Sequence, residues 1–102
     1  MDKKKILELI NRRENQILVH SYIYYQLNES LISDDQWTAW AKELCDLRDK
    51  YPDIYERSEH SLEFDKFEYS TGFDLYHAYM NPEVVRRAMY LFNVSKRMHP
   101  SE

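Results

Sequence analysis

Glycine is nearly absent from this chain of 102 residues, which contains one glycine, three prolines and one cysteine. Because tight hairpin turns depend on glycine, its scarcity disfavours β-hairpins and favours helices joined by few turns. The single cysteine, Cys45, leaves no partner for an internal disulfide, which is typical of proteins in a reducing cytosol. We therefore predict a helical protein of the cytoplasm.

Long apolar runs are also lacking, since no segment contains the ~20 consecutive apolar residues that span a membrane. Acidic residues outnumber basic residues 18 to 14, so general affinity for nucleic acid is not expected. The four histidines and Cys45 lack the spacing of metal ligands, and no metal site is predicted. Local DNA contact remains a weaker alternative. It would use Lys3, Lys4, Lys5, Arg12 and Arg13.

Aromatic residues are abundant instead, with nine tyrosines and two tryptophans. Apolar residues at helical spacing predict a first helix over about residues 3–27. Its core-facing stripe comprises Ile6, Ile10, Ile17 and Tyr24. From Ile17 onward the opposite side is apolar as well, so later segments or a partner must cover that half. Asn28 is the residue best suited to end the helix with a positive φ.

A second helix is predicted over about residues 34–51. Ser33 and Gln36 form a capping box, and two aspartates favour the positive helix end. Apolar residues at three- and four-residue spacing follow until Pro52 ends the helix. The two helices should therefore pack as an antiparallel hairpin in an all-α protein.

The remaining chain should cover this hairpin within one domain of residues 1–102. A packed, irregular segment is expected over residues 55–80, with a short helix near residues 75–80 as an alternative. Apolar and polar residues partly alternate over residues 62–69, so a short strand there is a second, less favoured alternative. Asn81 and Pro82 start a last helix over about residues 82–97. Residues 98–102 should fray.

Several polar and aromatic residues repeat the motifs of a known family in order and spacing. They are His20, Tyr22, Tyr24, Tyr25, Ile32, Ser33, Asp34, Glu43, Leu44, Leu47, Tyr51, Pro52, Asp53 and Ile54. The run over residues 12–54 resembles domain Ia, the small N-terminal helical domain of bacterial NAD-dependent DNA ligases. That family reads H-x-Y-x-Y-Y, then I-S-D-A-E-Y-D, E-L-x-x-L and Y/H-P-E-L.

The resemblance implies a ligand, because in the ligases this domain folds over the nicotinamide mononucleotide half of NAD. It implies ligand contacts by Tyr24, Tyr25, Asp34 and Trp37. Trp37 stands where the family has tyrosine, and Thr38 stands where it has aspartate. Threonine does not fully replace the polar contact of that carboxylate. A module that binds nicotinamide mononucleotide or NAD is therefore one hypothesis, and no other cofactor is implied.

The catalytic motifs of the ligases, S-P-T-Q and K-x-D-G, do not occur in the sequence, so no enzyme is predicted. The run Ser70 to Leu75, S-T-G-F-D-L, resembles the tail of phage-encoded ligase-related proteins of Gram-positive bacteria. Its Gly72 is predicted to form a turn or, alternatively, to contribute to a small anion cradle. The loss of the family's aspartate at Thr38, together with the absence of the catalytic motifs, favours a non-catalytic phage or prophage protein that engages a host protein of replication, ligation or defence, and this is the preferred hypothesis.

Acidic residues interspersed with aromatics are the candidate contact surface for such a partner. They are Glu56, Glu59, Glu63, Asp65 and Glu68. Acidic side chains of this kind can dock on a basic partner surface, although they more often form a solvated face. The sequence leaves open whether the chain also self-associates.

Overall fold

The computed structural model describes residues 2–65, 67 and 75–98, and most of these residues lie in five helices. The helices are α1 (Lys3–Gln26), α2 (Asp34–Lys50), α3 (Pro52–Tyr55), α4 (Tyr76–Tyr79) and α5 (Pro82–Met98). The described residues contain no strand. The predicted all-α class, with α1 packed against α2 and α5, is confirmed.

Helices α1 and α2 form the predicted antiparallel hairpin. Asn28 adopts a φ of 55°, which asparagine tolerates better than most other residues that carry a Cβ, so α1 ends without a glycine. The Ser33 Oγ accepts a hydrogen bond of 3.0 Å from the Gln36 N–H and thereby satisfies a free donor at the start of α2. The end of α1 at Asn28 and the serine cap of α2 are therefore confirmed.

The core follows the apolar stripe of α1. Its fully buried members on the hairpin are Ile10, Ile17, Leu18, Ile23, Ala41 and Leu44. Burying a side chain as large as leucine or isoleucine contributes about 1.5–3 kcal/mol. The placement of Tyr24 in this stripe was wrong, because Tyr24 is 55% exposed. Tyr24 instead lines a cavity beside the last turns of α1.

Helices α4 and α5 cover α1 from the other side. The prediction of irregular structure was wrong for the four residues of α4, where the alternative of a short helix is confirmed. Tyr79 of α4 contacts the rings of Tyr22 and Tyr25, with ring centroids 6.3 and 6.0 Å apart. Helix α5 begins where predicted, and the Asn81 Oδ1 accepts a 2.9 Å hydrogen bond from the backbone N–H of residue 83. The tyrosine-rich end of α1 is thus covered in part by α4.

The chain after α3 folds into consecutive turns over residues 56–65. Phe64 and Phe67 are buried against the hairpin, and the Tyr55 hydroxyl donates a 2.7 Å hydrogen bond to the Phe64 carbonyl. Residues 62–65 of the candidate strand are turns. Residues 66 and 68–69 of that stretch, the run 70–74 and the predicted tail 99–102 lie outside the described residues.

Glu14, on α1, is a fully buried carboxylate that the sequence patterns do not single out. Its Oε2 accepts a 2.7 Å hydrogen bond from the Ser58 hydroxyl, and its Oε1 accepts one of 3.2 Å from the His60 N–H. Burial raises the pKa of Glu14 to about 7, although both hydrogen bonds oppose this shift. Glu14 therefore ties the turn segment to α1 with a carboxyl group that titrates near neutral pH.

Candidate functional site

A cavity of about 300 Å³ lies between the last turns of α1, the connecting turn and the first turns of α2. It is lined by His20, Ser21, Tyr24, Tyr25, Ser30, Leu31, Ile32, Ser33, Asp34, Trp37 and Thr38. Ligand pockets measure ~300–1,000 Å³, so this one suits a small ligand. The described lining residues all come from one contiguous stretch, which comprises the hairpin turn and the helix ends beside it.

Three aromatic side chains form its walls. Tyr24 and Tyr25 meet edge to face, with ring centroids 5.0 Å apart. Tyr25 also stacks on Tyr79 with an interplanar angle of 6°, which supports its ring from behind. Trp37 faces them from α2, and both tyrosines keep exposed surface that a ligand can contact.

Trp37 is held by a contact that the sequence patterns did not indicate. Its Nε1–H donates a 3.3 Å hydrogen bond to the Oγ of Ser21, which is buried on α1. The indole ring also meets Phe67 edge to face at 6.2 Å. Because its one donor is used by Ser21, Trp37 offers a ligand its ring surface and no hydrogen bond.

The charge of the lining is negative. Among the described lining residues, Asp34 alone carries a formal charge at neutral pH, and no lysine or arginine is present. Burial lowers the pKa of His20 and so favours its neutral ring. The His20 Nδ1 is buried without a hydrogen-bond partner, and the ring packs on Trp40 at 5.6 Å.

The four residues predicted to contact a ligand, Tyr24, Tyr25, Asp34 and Trp37, all line this one cavity. Thr38, the position where the ligase pattern has aspartate, lines it as well. Sequence reasoning missed Ser21, whose role depends on its distance to Trp37. It also did not predict that the three residues of the connecting turn, residues 30–32, line the cavity. Their inclusion follows from the path of the turn between the two helices.

The acidic surface predicted for a partner is exposed at its described positions, which are Glu56, Glu59, Glu63 and Asp65, whereas Glu68 lies outside the described residues. Glu59 is partly engaged, because its Oε2 accepts a 3.1 Å hydrogen bond from Asn15. Leu62 lies between these acids and is 89% exposed. The turn segment therefore presents the exposed apolar side chain of Leu62 near several exposed acidic residues in the sequence.

The basic residues proposed to contact DNA are only partly available. Lys3, Lys4, Lys5 and Arg12 are exposed near the start of α1. Arg13 instead forms an ion pair with Glu43, donates to Gln16 and lies over the Trp40 ring. This arrangement makes Arg13 a contact between α1 and α2.

The described part of the chain contains neither a helix that could span a membrane nor a cluster of metal-binding side chains. None of its helices has the length and apolar character needed to cross a bilayer. Within the same residues, no three histidine, cysteine, aspartate or glutamate side chains are grouped so that they could hold a metal ion.

Comparison with known proteins identifies bacterial DNA ligases as relatives of about half of this chain. The DNA ligase of Thermosipho africanus is 42% identical over 55 residues, which are 54% of this chain and 8% of the ligase. The DNA ligases of Hydrogenobaculum sp. and Fervidobacterium nodosum are 37% and 33% identical over 54 residues, again 8% of each ligase. The ligase resemblance is thereby confirmed for a segment, and the chain matches only a small part of each relative.

No protein-family model matches the chain, and no solved structure gives a significant match.

Proposed function

We propose that this protein is a binding module for nicotinamide-bearing ligands, with nicotinamide mononucleotide or the nicotinamide half of NAD as the ligand class. The observation that carries this proposal is the convergence of Tyr24, Tyr25, Asp34 and Trp37 on one cavity. These positions are the ones for which the ligase resemblance implies ligand contacts. Segments of bacterial DNA ligases are similar to about half of the chain.

The chemistry of the cavity supports the same ligand class. Aromatic walls are suited to a flat ring, because stacking on tyrosine and tryptophan contributes about 1–3 kcal/mol per ring. Asp34 can accept hydrogen bonds from ribose hydroxyls, and the Thr38 hydroxyl adds a second polar group. We propose no catalytic step for this chain, because the sequence contains neither the S-P-T-Q motif nor the lysine-bearing K-x-D-G motif of the ligases.

Titration calorimetry with nicotinamide mononucleotide, NAD and nicotinamide riboside tests the proposal. We expect at least one of the three to bind with a Kd below about 1 mM, which corresponds to about 4 kcal/mol. Adenosine is the control, since it has the ribose but not the nicotinamide ring. The absence of binding heat for all three nicotinamide ligands at millimolar concentration would overturn the proposal.

A second candidate function is engagement of a host protein of replication, ligation or defence by a phage-encoded, non-catalytic protein in the bacterial cytoplasm. The observation that favours it is the exposed Leu62 between the exposed acidic residues Glu59 and Glu63, because a partner can bury this apolar side chain while it contacts the acidic ones. Acidic side chains around it would steer a basic partner surface toward it.

Affinity capture from a bacterial lysate tests this second function. We expect wild-type protein to retain a specific host protein, and the double variant Leu62→Ser and Glu63→Lys to release it. The matched control is Asp46→Lys, a charge reversal at an exposed position of α2. Equal retention of the same proteins by all three samples would count against engagement through the turn segment.

A further inference from the structure

The charge balance of the cavity distinguishes between ligands that share a nicotinamide ring. Nicotinamide riboside carries one positive charge, on its pyridinium ring. Nicotinamide mononucleotide has the same ring and ribose with an added phosphate, which carries about −1.5 to −2 charges at neutral pH. Asp34 is the one formally charged group among the described lining residues, so the two ligands should experience opposite electrostatic effects.

The aromatic walls favour a cationic ring. Organic cations are bound in proteins by cages of tryptophan and tyrosine, whose ring faces carry negative electrostatic potential. Tyr24, Tyr25 and Trp37 supply such rings here, and the Trp37 Nε1–H is directed to Ser21. The donor of the indole is thus already paired, and a phosphate oxygen gains no hydrogen bond from it.

A phosphate would find no cationic side chain in the described lining. Phosphates are commonly bound by arginine, lysine or the free N–H groups at a helix N-terminus. Lysine and arginine are absent from these lining residues. The N-terminus of α2 is near, but Ser33 accepts from the Gln36 N–H, and Asp34 and Asp35 already provide negative charge in its first turn.

We infer that the cavity binds the phosphate-free pyridinium nucleoside, nicotinamide riboside, in preference to nicotinamide mononucleotide. This inference rests on the proposed nicotinamide-binding function and names the ligand within that class. A cationic ring lies between aromatic walls near Asp34, and no phosphate has to be neutralised.

Calorimetry at low ionic strength, with the riboside, the mononucleotide and the reduced riboside, tests this inference. Because a phosphate beside Asp34 places like charges together, we expect the riboside to bind roughly tenfold more tightly than the mononucleotide. The reduced riboside has similar shape but no ring charge, and we expect it to bind roughly tenfold more weakly than the cation. Equal or tighter binding of the mononucleotide would overturn the inference and leave the nicotinamide-binding function standing. Failure of all ligands to bind would overturn that function itself.

Three variants separate the charge effect from general loss of structure. Asp34→Asn should reduce the preference for the riboside severalfold, whereas Asp35→Asn should retain it. Asp35 lies in the same turn of α2 and carries the same charge, but it does not line the cavity. Thr38→Lys places a cation in the lining and should shift the preference toward the mononucleotide. Unchanged ligand ratios in both Asp34→Asn and Thr38→Lys would overturn the electrostatic basis of the inference.

Discussion

Replacing Glu14 with glutamine is expected to remove a pH-dependent loss of stability of about 3 kcal/mol. This size follows from the difference between a carboxyl pKa of about 7 in the folded protein and its ordinary value of 4.5. The folded state holds the Glu14 proton more tightly than the unfolded chain does. The stability that this proton contributes is therefore fully present below pH 4.5 and is lost as the pH rises through 7.

Glutamine has the shape of the protonated acid and does not ionise. Its amide oxygen can accept from the His60 N–H, and its amide group can hydrogen bond with the Ser58 hydroxyl. We therefore expect Glu14→Gln to match the wild type near pH 4.5 and to exceed its unfolding free energy by about 3 kcal/mol near pH 8. Urea unfolding followed by circular dichroism across this pH range measures the difference.

The matched control for the lost charge is Glu8→Gln, an exposed position on the same helix. Glu59 and Glu63 also act on the Glu14 carboxyl, because their negative charges raise its pKa further. Parallel pH profiles for the wild type and Glu14→Gln would contradict the buried, near-neutral carboxyl. A difference that grows between pH 4.5 and 8 would confirm it.

Trp37→Ala is expected to weaken binding of a nicotinamide ligand by about 2 kcal/mol, or on the order of thirtyfold, because it removes one aromatic wall of the cavity. Trp37→Phe keeps an aromatic ring but loses the hydrogen bond to Ser21, so we expect a smaller, severalfold loss. Calorimetry with nicotinamide riboside measures both effects.

The control for this experiment is Tyr90→Ala, which removes an exposed aromatic ring on α5 outside the lining. Trp37 also packs on Phe67, so circular dichroism must first establish that Trp37→Ala remains folded. Wild-type affinity in a folded Trp37→Ala protein would place the ligand elsewhere.

The local signals of the sequence predicted the helical hairpin well because each acts over a few residues. Ser33 caps α2 through a donor three residues away, Asn81 caps α5 through a donor two residues away, and Asn28 supplies the positive φ that ends α1. The site was also accessible from the sequence, since the described lining residues of the cavity come from one stretch around the hairpin turn.

The position of a side chain relative to segments distant in the sequence could not be predicted from such local signals. Helical period assigned Tyr24 to the core, yet the neighbouring elements leave that side of α1 open to a cavity. Glu14 resembles any polar residue of an amphipathic helix, and its burial depends on Ser58, which lies 44 residues further along the chain. Ser21 likewise becomes important through its distance to Trp37 on the facing helix.

The sequence by itself therefore determined the long helices and their caps, because propensity and capping are short-range effects, and its family resemblance indicated four of the residues that line the cavity. Only the tertiary structure decided that residues of the connecting turn line the cavity, which serine orients the tryptophan and which carboxyl is buried. Those outcomes depend on long-range packing and desolvation, which the local pattern of a sequence does not specify.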